Sequence, residues 1–124
     1  MDTANLAERS PQREAARGLV AEAVKSRVIT RDYIQATRQV TKVLHRHGLG
    51  QTLAYMRLRA GGKPNSPYEL LSRQLDQWLL SAMAVKAPSA LVMLTTRDSR
   101  FYLEASEQAS LLIEALCQEI KEIS

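Results

Sequence analysis

The stretch Leu44 to Gly62, LHRHGLGQTLAYMRLRAGG, most constrains the fold, because one helix must end inside it and another must begin almost at once. Gly48 enters a left-handed C-terminal position without a Cβ penalty, so we expect it to close the first of these helices. Apolar residues at helical spacing resume at Leu49 and stop at the pair Gly61 and Gly62. Helices joined by one or two residues have to pack as a fixed corner.

The remaining helices follow from start and stop signals along the chain. Hydrophobic residues make up 45% of the sequence and aromatic residues only 5%, which favours helices packed through small and aliphatic side chains. Expected helix starts are Ser10 with Pro11, Thr30 as a cap, Ser66 with Pro67 and Glu69 in a capping box, Ser89, and Asp98 or Ser99. The sequence therefore predicts an all-α fold, a single-domain bundle of about six helices over residues 1–124.

Helical periodicity assigns residues to the core face or to the solvent face. Val24, His47 and Ala82 fall on expected core faces, and Trp78 is expected to be the largest core anchor. The outer face of the last helix is expected to be acidic. Its members are Glu104, Glu107, Glu114, Glu119 and Glu122.

Positive charge is concentrated in the front half of the chain. The formal net charge is +4, made up of +7 through Lys63 and −3 from Pro64 onward. On the predicted second helix one face carries a stripe of a single sign: Arg31, Gln35, Arg38, Lys42 and Arg46. A solvated face usually mixes charges, so this stripe favours a phosphate-binding surface, with plain solvation as the other interpretation.

Further cations form a second group of candidates. Arg13 and Arg17 lie four residues apart on the first helix, and Arg57 and Arg59 lie near the end of the corner helix. A helix C-terminus also favours cations through its dipole, which explains one or two of these positions without any ligand. No exposed aromatic series is apparent, so the sequence does not predict base stacking.

Convergent catalytic groups are not apparent in the sequence. His45 and His47 are two residues apart on a helix and point in different directions, unlike a metal-binding pair four residues apart. Phosphate-loop, dinucleotide-binding and nucleophile-elbow motifs are missing. We expect no enzyme activity, no metal and no cofactor.

The sequence also bears on the cellular location. No stretch approaches the roughly 18 apolar residues of a membrane span, and the start shows no signal-peptide pattern. The single cysteine, Cys117, lies in an apolar helical pattern and is interpreted as a buried thiol in a reducing compartment. We expect a cytoplasmic protein.

Over essentially its whole length the chain resembles the small all-helical subunit of the Cmr complex, the type III-B CRISPR RNA-guided effector that targets RNA. The most specific part is HGLGQTLAYMRLRAGG at positions 47–62, followed by YELLSRQLDQWL at 68–79 and RFYLEASEQASLLIEAL near the end. One departure is His47, where the family often has Asn before the glycine. These are packing motifs, which identify a fold more securely than an activity.

The resemblance implies a non-catalytic subunit that stacks in a few copies as a minor filament beside the backbone subunits. It also implies partners: the backbone and large subunits, copies of the chain itself, and the guide and target RNA. By the same resemblance, target cleavage is expected to belong to the backbone subunit, and cyclic-oligonucleotide or DNase activity to the large subunit. The expected RNA-binding residues are Arg31, Arg38, Lys42 and Arg46, followed by Arg13, Arg17, Arg57 and Arg59.

Two alternatives remain open from the sequence. The close pair of helices around Gly48 superficially fits a helix-turn-helix DNA-binding regulator, although its second helix is apolar on most sides. The other alternative is a purely structural scaffold whose basic stripe faces acidic residues of a neighbouring subunit.

Overall fold

The computed structural model describes residues 10–123, and this part of the chain contains helices and no strand. The helices are α1 (Pro11–Lys25), α2 (Thr30–Ala60), α3 (Pro67–Ala82), α4 (Ala90–Thr95) and α5 (Ser99–Ile123). The predicted all-α fold is confirmed. The described residues form five helices rather than about six, because the two helices of the predicted corner run on as one kinked helix, α2.

Serine caps begin three of the helices where the sequence predicts them. The hydroxyl oxygens of Ser10, Ser66 and Ser89 accept backbone N–H groups of the first turn at 3.1–3.2 Å. Thr30 was expected to be a cap and is instead the first residue of α2, which follows Ile29 without a side-chain cap bond. The Ser66 N–H donates to the Lys63 carbonyl at 3.2 Å, so the expected capping box is replaced by a turn.

The kink of α2 lies at Gly48, which has φ +83° and ψ 179°. The predicted positive φ is confirmed, although the extended ψ places the residue outside the left-handed helical region. This combination is open essentially to glycine alone. After the kink, the Thr52 hydroxyl donates to the Gly48 carbonyl at 2.7 Å, and the Gly50 N–H donates to the Tyr102 hydroxyl at 3.0 Å.

The helices pack in two main pairs around one hydrophobic core. Helix α1 lies along α5, and α2 lies along α3, while α2 and α5 join the two pairs. Leu49, Leu53 and Met56, all after the kink, are fully buried. The corner is therefore part of the core, as predicted, and its two segments hold fixed positions relative to each other.

Four residues expected on core faces are less buried than predicted. Val24 is 56% exposed at the end of α1, and His47 and Ala82 are also exposed. Trp78 is half-buried and packs against the core without being enclosed by it. Helical periodicity identifies which side of a helix faces the core. How much of that side is covered depends on where the neighbouring helix ends.

A buried polar network ties α1, α2 and α3 together. Gln74 is 1% exposed and its side-chain oxygen accepts the Tyr33 hydroxyl at 2.7 Å. Its amide nitrogen donates to the Leu19 carbonyl at 3.1 Å and to Glu22 Oε1 at 2.8 Å. Arg73 donates to the second Glu22 oxygen at 3.1 Å. Each polar atom of the Gln74 side chain thus has a partner, as a buried amide requires.

The network predicts a pH dependence of stability centred on Glu22. The hydrogen bond from Gln74, aided by Arg73, holds the pKa of Glu22 below its ordinary value of 4.5, although partial burial acts in the opposite direction. The folded state therefore prefers the carboxylate, so this stabilisation is present above the ordinary pKa and is lost as pH falls through the lowered one. We expect the urea midpoint of Glu22→Gln to fall less between pH 6 and about pH 3 than that of the wild type.

The matched control is Glu107→Gln, because Glu107 is exposed on α5 and forms no ion pair with another described residue. Its acid dependence should equal that of the wild type. Equal acid sensitivity of Glu22→Gln and the wild type would contradict the role given to Glu22.

Candidate nucleic-acid interface

The first segment of α2 carries the predicted basic stripe on its solvent side. Arg31, Arg38, Lys42 and Arg46 are all exposed. None of the four lies within 4 Å of a carboxylate oxygen belonging to residues 10–123. Four positive side chains along one face, with no carboxylate of the described residues to neutralise them, form a surface that attracts a polyanion.

The kink at Gly48 turns part of this stripe into one wall of a groove. Arg38 and Lys42 of the first segment share the groove with Arg59 of the second segment. In a straight helix Arg38 and Arg59 would be about 32 Å apart along the axis. The open groove has a volume of about 530 Å³ and is also lined by Gln35, Gln39, Tyr55 and Tyr68.

Two tyrosines and an arginine form the aromatic side of the groove. The rings of Tyr55 and Tyr68 meet edge to face, with centroids 5.8 Å apart and an interplanar angle of 83°. The Arg59 guanidinium lies over the Tyr68 ring, 5.3 Å from its centroid. Partial burial, followed by the neighbouring Tyr55, raises the pKa of Tyr68. Both rings are half-buried, so part of each faces the groove.

Arg13 and Arg17, two of the predicted RNA-binding residues, are engaged with α5. Arg13 Nη2 lies 3.0 Å from Glu119 Oε1 and 3.4 Å from Glu122 Oε1, and Arg17 Nε lies 3.3 Å from Glu119 Oε1. Glu119 was expected on the outer acidic face, and this is wrong, because it is only 8% exposed between the two arginines. The other four glutamates of that face are exposed.

Arg57 points away from the groove. Its Nη2 lies 3.8 Å from Asp76 Oδ2, and the other Asp76 oxygen accepts the Ala90 N–H at 3.1 Å. Burial raises the pKa of Asp76, an effect that the bond from Ala90 and the charge of Arg57 oppose. Arg57 therefore supports the contact between α2 and α3 through Asp76, which in turn binds the start of α4, whereas Arg59 belongs to the groove.

The structure brings no metal-binding cluster together within the part that it describes. No group of three or more His, Cys, Asp or Glu side chains is placed to hold an ion there. Cys117, expected to be buried, is half-buried with its Sγ 3.4 Å from the Thr41 hydroxyl. None of the helices between residues 10 and 123 is long and apolar enough to cross a membrane.

Sequence reasoning found the stripe and missed the groove. Tyr68 packs against the core and also lines the groove. Tyr55 lies beside the apolar positions of the corner helix and gave no separate signal. The corner predicted at Gly48 was the available clue, because a bend there brings residues from both sides of it to one groove.

Comparison with known protein families gives a match. The family model described as CRISPR-associated protein (Cas_Cmr5) matches residues 10–116. No curated protein and no solved structure matches the chain. The matched range covers most of the chain, from the cap of α1 into the second half of α5.

Proposed function

Because the chain belongs to the CRISPR-associated Cas_Cmr5 family, we propose that it is a non-catalytic small subunit of a type III-B CRISPR RNA-guided effector complex. Its partners are the other subunits of that complex and the guide and target RNA. It acts in the cytoplasm in antiviral defence. Sequence choice comes from guide pairing, and this subunit helps to hold the paired strands through their backbones.

The observation that carries the proposal is the unneutralised basic stripe of α2. Surface cations of a folded protein commonly have acidic neighbours, as Arg13 and Arg17 do here. Arg38 and Lys42 have none among the described residues. Contacts from such residues to phosphates release counterions, which makes binding independent of base sequence and dependent on salt.

The eight expected RNA-binding residues fall into different environments. Arg31, Arg38, Lys42 and Arg46 form the stripe, and Arg59 extends it across the groove. We assign these five the main contacts with the backbone. Arg13, Arg17 and Arg57 remain proposed contacts of a lesser kind, because an RNA phosphate would have to compete with carboxylates already within 4 Å.

Self-stacking is the second part of the proposal. The exposed glutamates of α5 carry negative charge, and the exposed cations of α1 and α2, which include more residues than the stripe, carry positive charge on another part of the molecule. Complementary surfaces on different parts of one chain allow a head-to-tail contact, and such contacts extend into a filament when they do not close. The minor filament of the complex is built in this way.

Reconstitution of the guide-containing complex tests the proposal. Complexes are assembled without this chain, with the wild type, or with Arg38→Glu and Lys42→Glu together, and target RNA affinity is measured over a salt series. We expect omission to weaken binding and the double reversal to reproduce much of that loss, with a salt slope shallower by about 2. The matched control is Lys86→Glu with Lys121→Glu, which changes net charge equally at exposed positions outside the stripe.

Other outcomes favour other functions. If the double reversal prevents assembly in the absence of target RNA, the stripe contacts a protein neighbour and the chain is a scaffold. Sequence-specific binding of duplex DNA by the isolated chain would support a helix-turn-helix regulator. Equal loss of affinity in the control pair would show an effect of overall charge rather than of the stripe.

A further inference from the structure

The groove between the two segments of α2 differs from the rest of the stripe in its chemistry. Contacts to a nucleic-acid backbone require cations and hydrogen-bond donors, and Arg38 and Lys42 supply them. The groove is also lined by two aromatic rings and a guanidinium, and by two amides on the same helix segment as the cations. These further groups are of the kinds that contact bases.

The aromatic wall suits the flat face of an unpaired base. Tyr55 and Tyr68 are held edge to face, and Arg59 covers part of the Tyr68 ring at 5.3 Å. Unpaired RNA bases stack on tyrosine rings and on arginine guanidinium planes, so each exposed part of this wall offers a stacking surface. Tyr68 packs against the core, and Tyr55 contacts the Tyr68 ring edge to face, so both rings are already positioned and the ordering cost of binding is reduced.

Gln35 and Gln39 lie four residues apart on the exposed face of α2, on the same side as the two cations. A glutamine amide has both donors and an acceptor and pairs with the edge of a base.

We propose that this groove seats a single unpaired base of an RNA strand. The base lies against Tyr55, Tyr68 and Arg59, while Arg38 and Lys42 bind the adjoining phosphates. The proposal rests on the proposed function, because it assumes that the stripe faces RNA. It adds that one nucleotide is turned out of the paired region into the groove.

Abasic substitution in the assembled complex tests this inference. Single abasic nucleotides are placed one position at a time along the target RNA and then along the guide, and affinity is measured with wild-type chain and with Tyr55→Leu and Tyr68→Leu together. Removal of the seated base should lower the RNA affinity of the complex in both cases. The loss should be about 5-fold or more greater with the wild-type chain than with the double variant. Loss of guide pairing is common to both proteins and cancels in the comparison.

Two controls keep the result specific. Tyr55→Phe with Tyr68→Phe preserves the rings and the packing, and should retain the wild-type response. Phe101→Leu removes a ring outside the groove that also lies under an arginine, since the Arg97 guanidinium is 5.4 Å from its centroid. This variant should show the wild-type response to every abasic position.

The outcomes separate this inference from the function on which it rests. If no abasic position distinguishes the leucine variant from the wild type, the base site is disproved. Weakened binding by the Arg38 and Lys42 reversals in that same case would leave the backbone-binding function intact. A tyrosine-dependent position, found together with a phenylalanine variant that behaves as wild type, would establish the site.

Discussion

Gly48→Ala is expected to lower the free energy of unfolding by about 2 kcal/mol, because alanine is strained at the φ and ψ of this residue. The cost arises in the backbone and not from a collision. A Cβ at this position would meet the Tyr102 hydroxyl at 3.5 Å, an ordinary contact distance. Relief of the strain would shift the angle between the two segments of α2, and with it the groove that they form.

Urea denaturation of Gly48→Ala and Gly18→Ala side by side measures the effect. Gly18 lies inside α1, and a Cβ there meets nothing within 4 Å. The same substitution should therefore stabilise at this position by about 0.5–1 kcal/mol. Equal stability of Gly48→Ala and the wild type would contradict the role given to the corner.

Gln74→Leu is expected to lower the free energy of unfolding by about 3 kcal/mol, because it removes the central side chain of the buried polar network. The Tyr33 hydroxyl, in a side chain that is 1% exposed, would lose its acceptor, and Glu22 would lose its bond from the amide. Burial raises the pKa of Tyr33, so this hydroxyl stays a proton donor and needs an acceptor at all ordinary pH values. Leucine has nearly the volume of glutamine, which limits any cavity contribution.

A double-mutant cycle with Tyr33→Phe identifies the source of the loss. In the pair Tyr33→Phe and Gln74→Leu the orphaned hydroxyl is gone, so the double variant should be less destabilised than the sum of the single ones by about 1 kcal/mol or more. Urea midpoints of the four proteins supply the comparison. Strict additivity would mean that the two side chains do not depend on each other.

The helices of this protein were predictable because their signals are local. Ser10 with Pro11 and Ser66 with Pro67 each place a cap and a first helical residue next to each other, and both helices begin there. Thr30 shows the limit of this reasoning. Threonine is a favoured cap, yet α2 begins one residue earlier than that preference predicts, since Ile29 takes the extended conformation.

The candidate site was predictable only in part. Arg38 and Lys42 belong to one turn of one helix, so their common face follows from helical periodicity. Arg59, Tyr55 and Tyr68 reach the same groove through the kink at Gly48 and the packing of α3. The position of Gly48 in the sequence indicates where the helix breaks. The angle between the two segments depends on the helices that they pack against.

The ion pairs of Arg13 and Arg17 also separate what the sequence predicts from what only the packing of the helices decides. The sequence by itself determined that the chain folds into helices, that Gly48 interrupts one of them and that α2 carries an unbalanced basic face. Each of these depends on hydrogen bonds and side-chain spacing within a few residues. Only the tertiary structure decided that Glu119 neutralises Arg13 and Arg17 while Arg38 and Lys42 remain free of described carboxylates. Charges from distant helices meet through the packing of the core, and that packing has no local signature in the sequence.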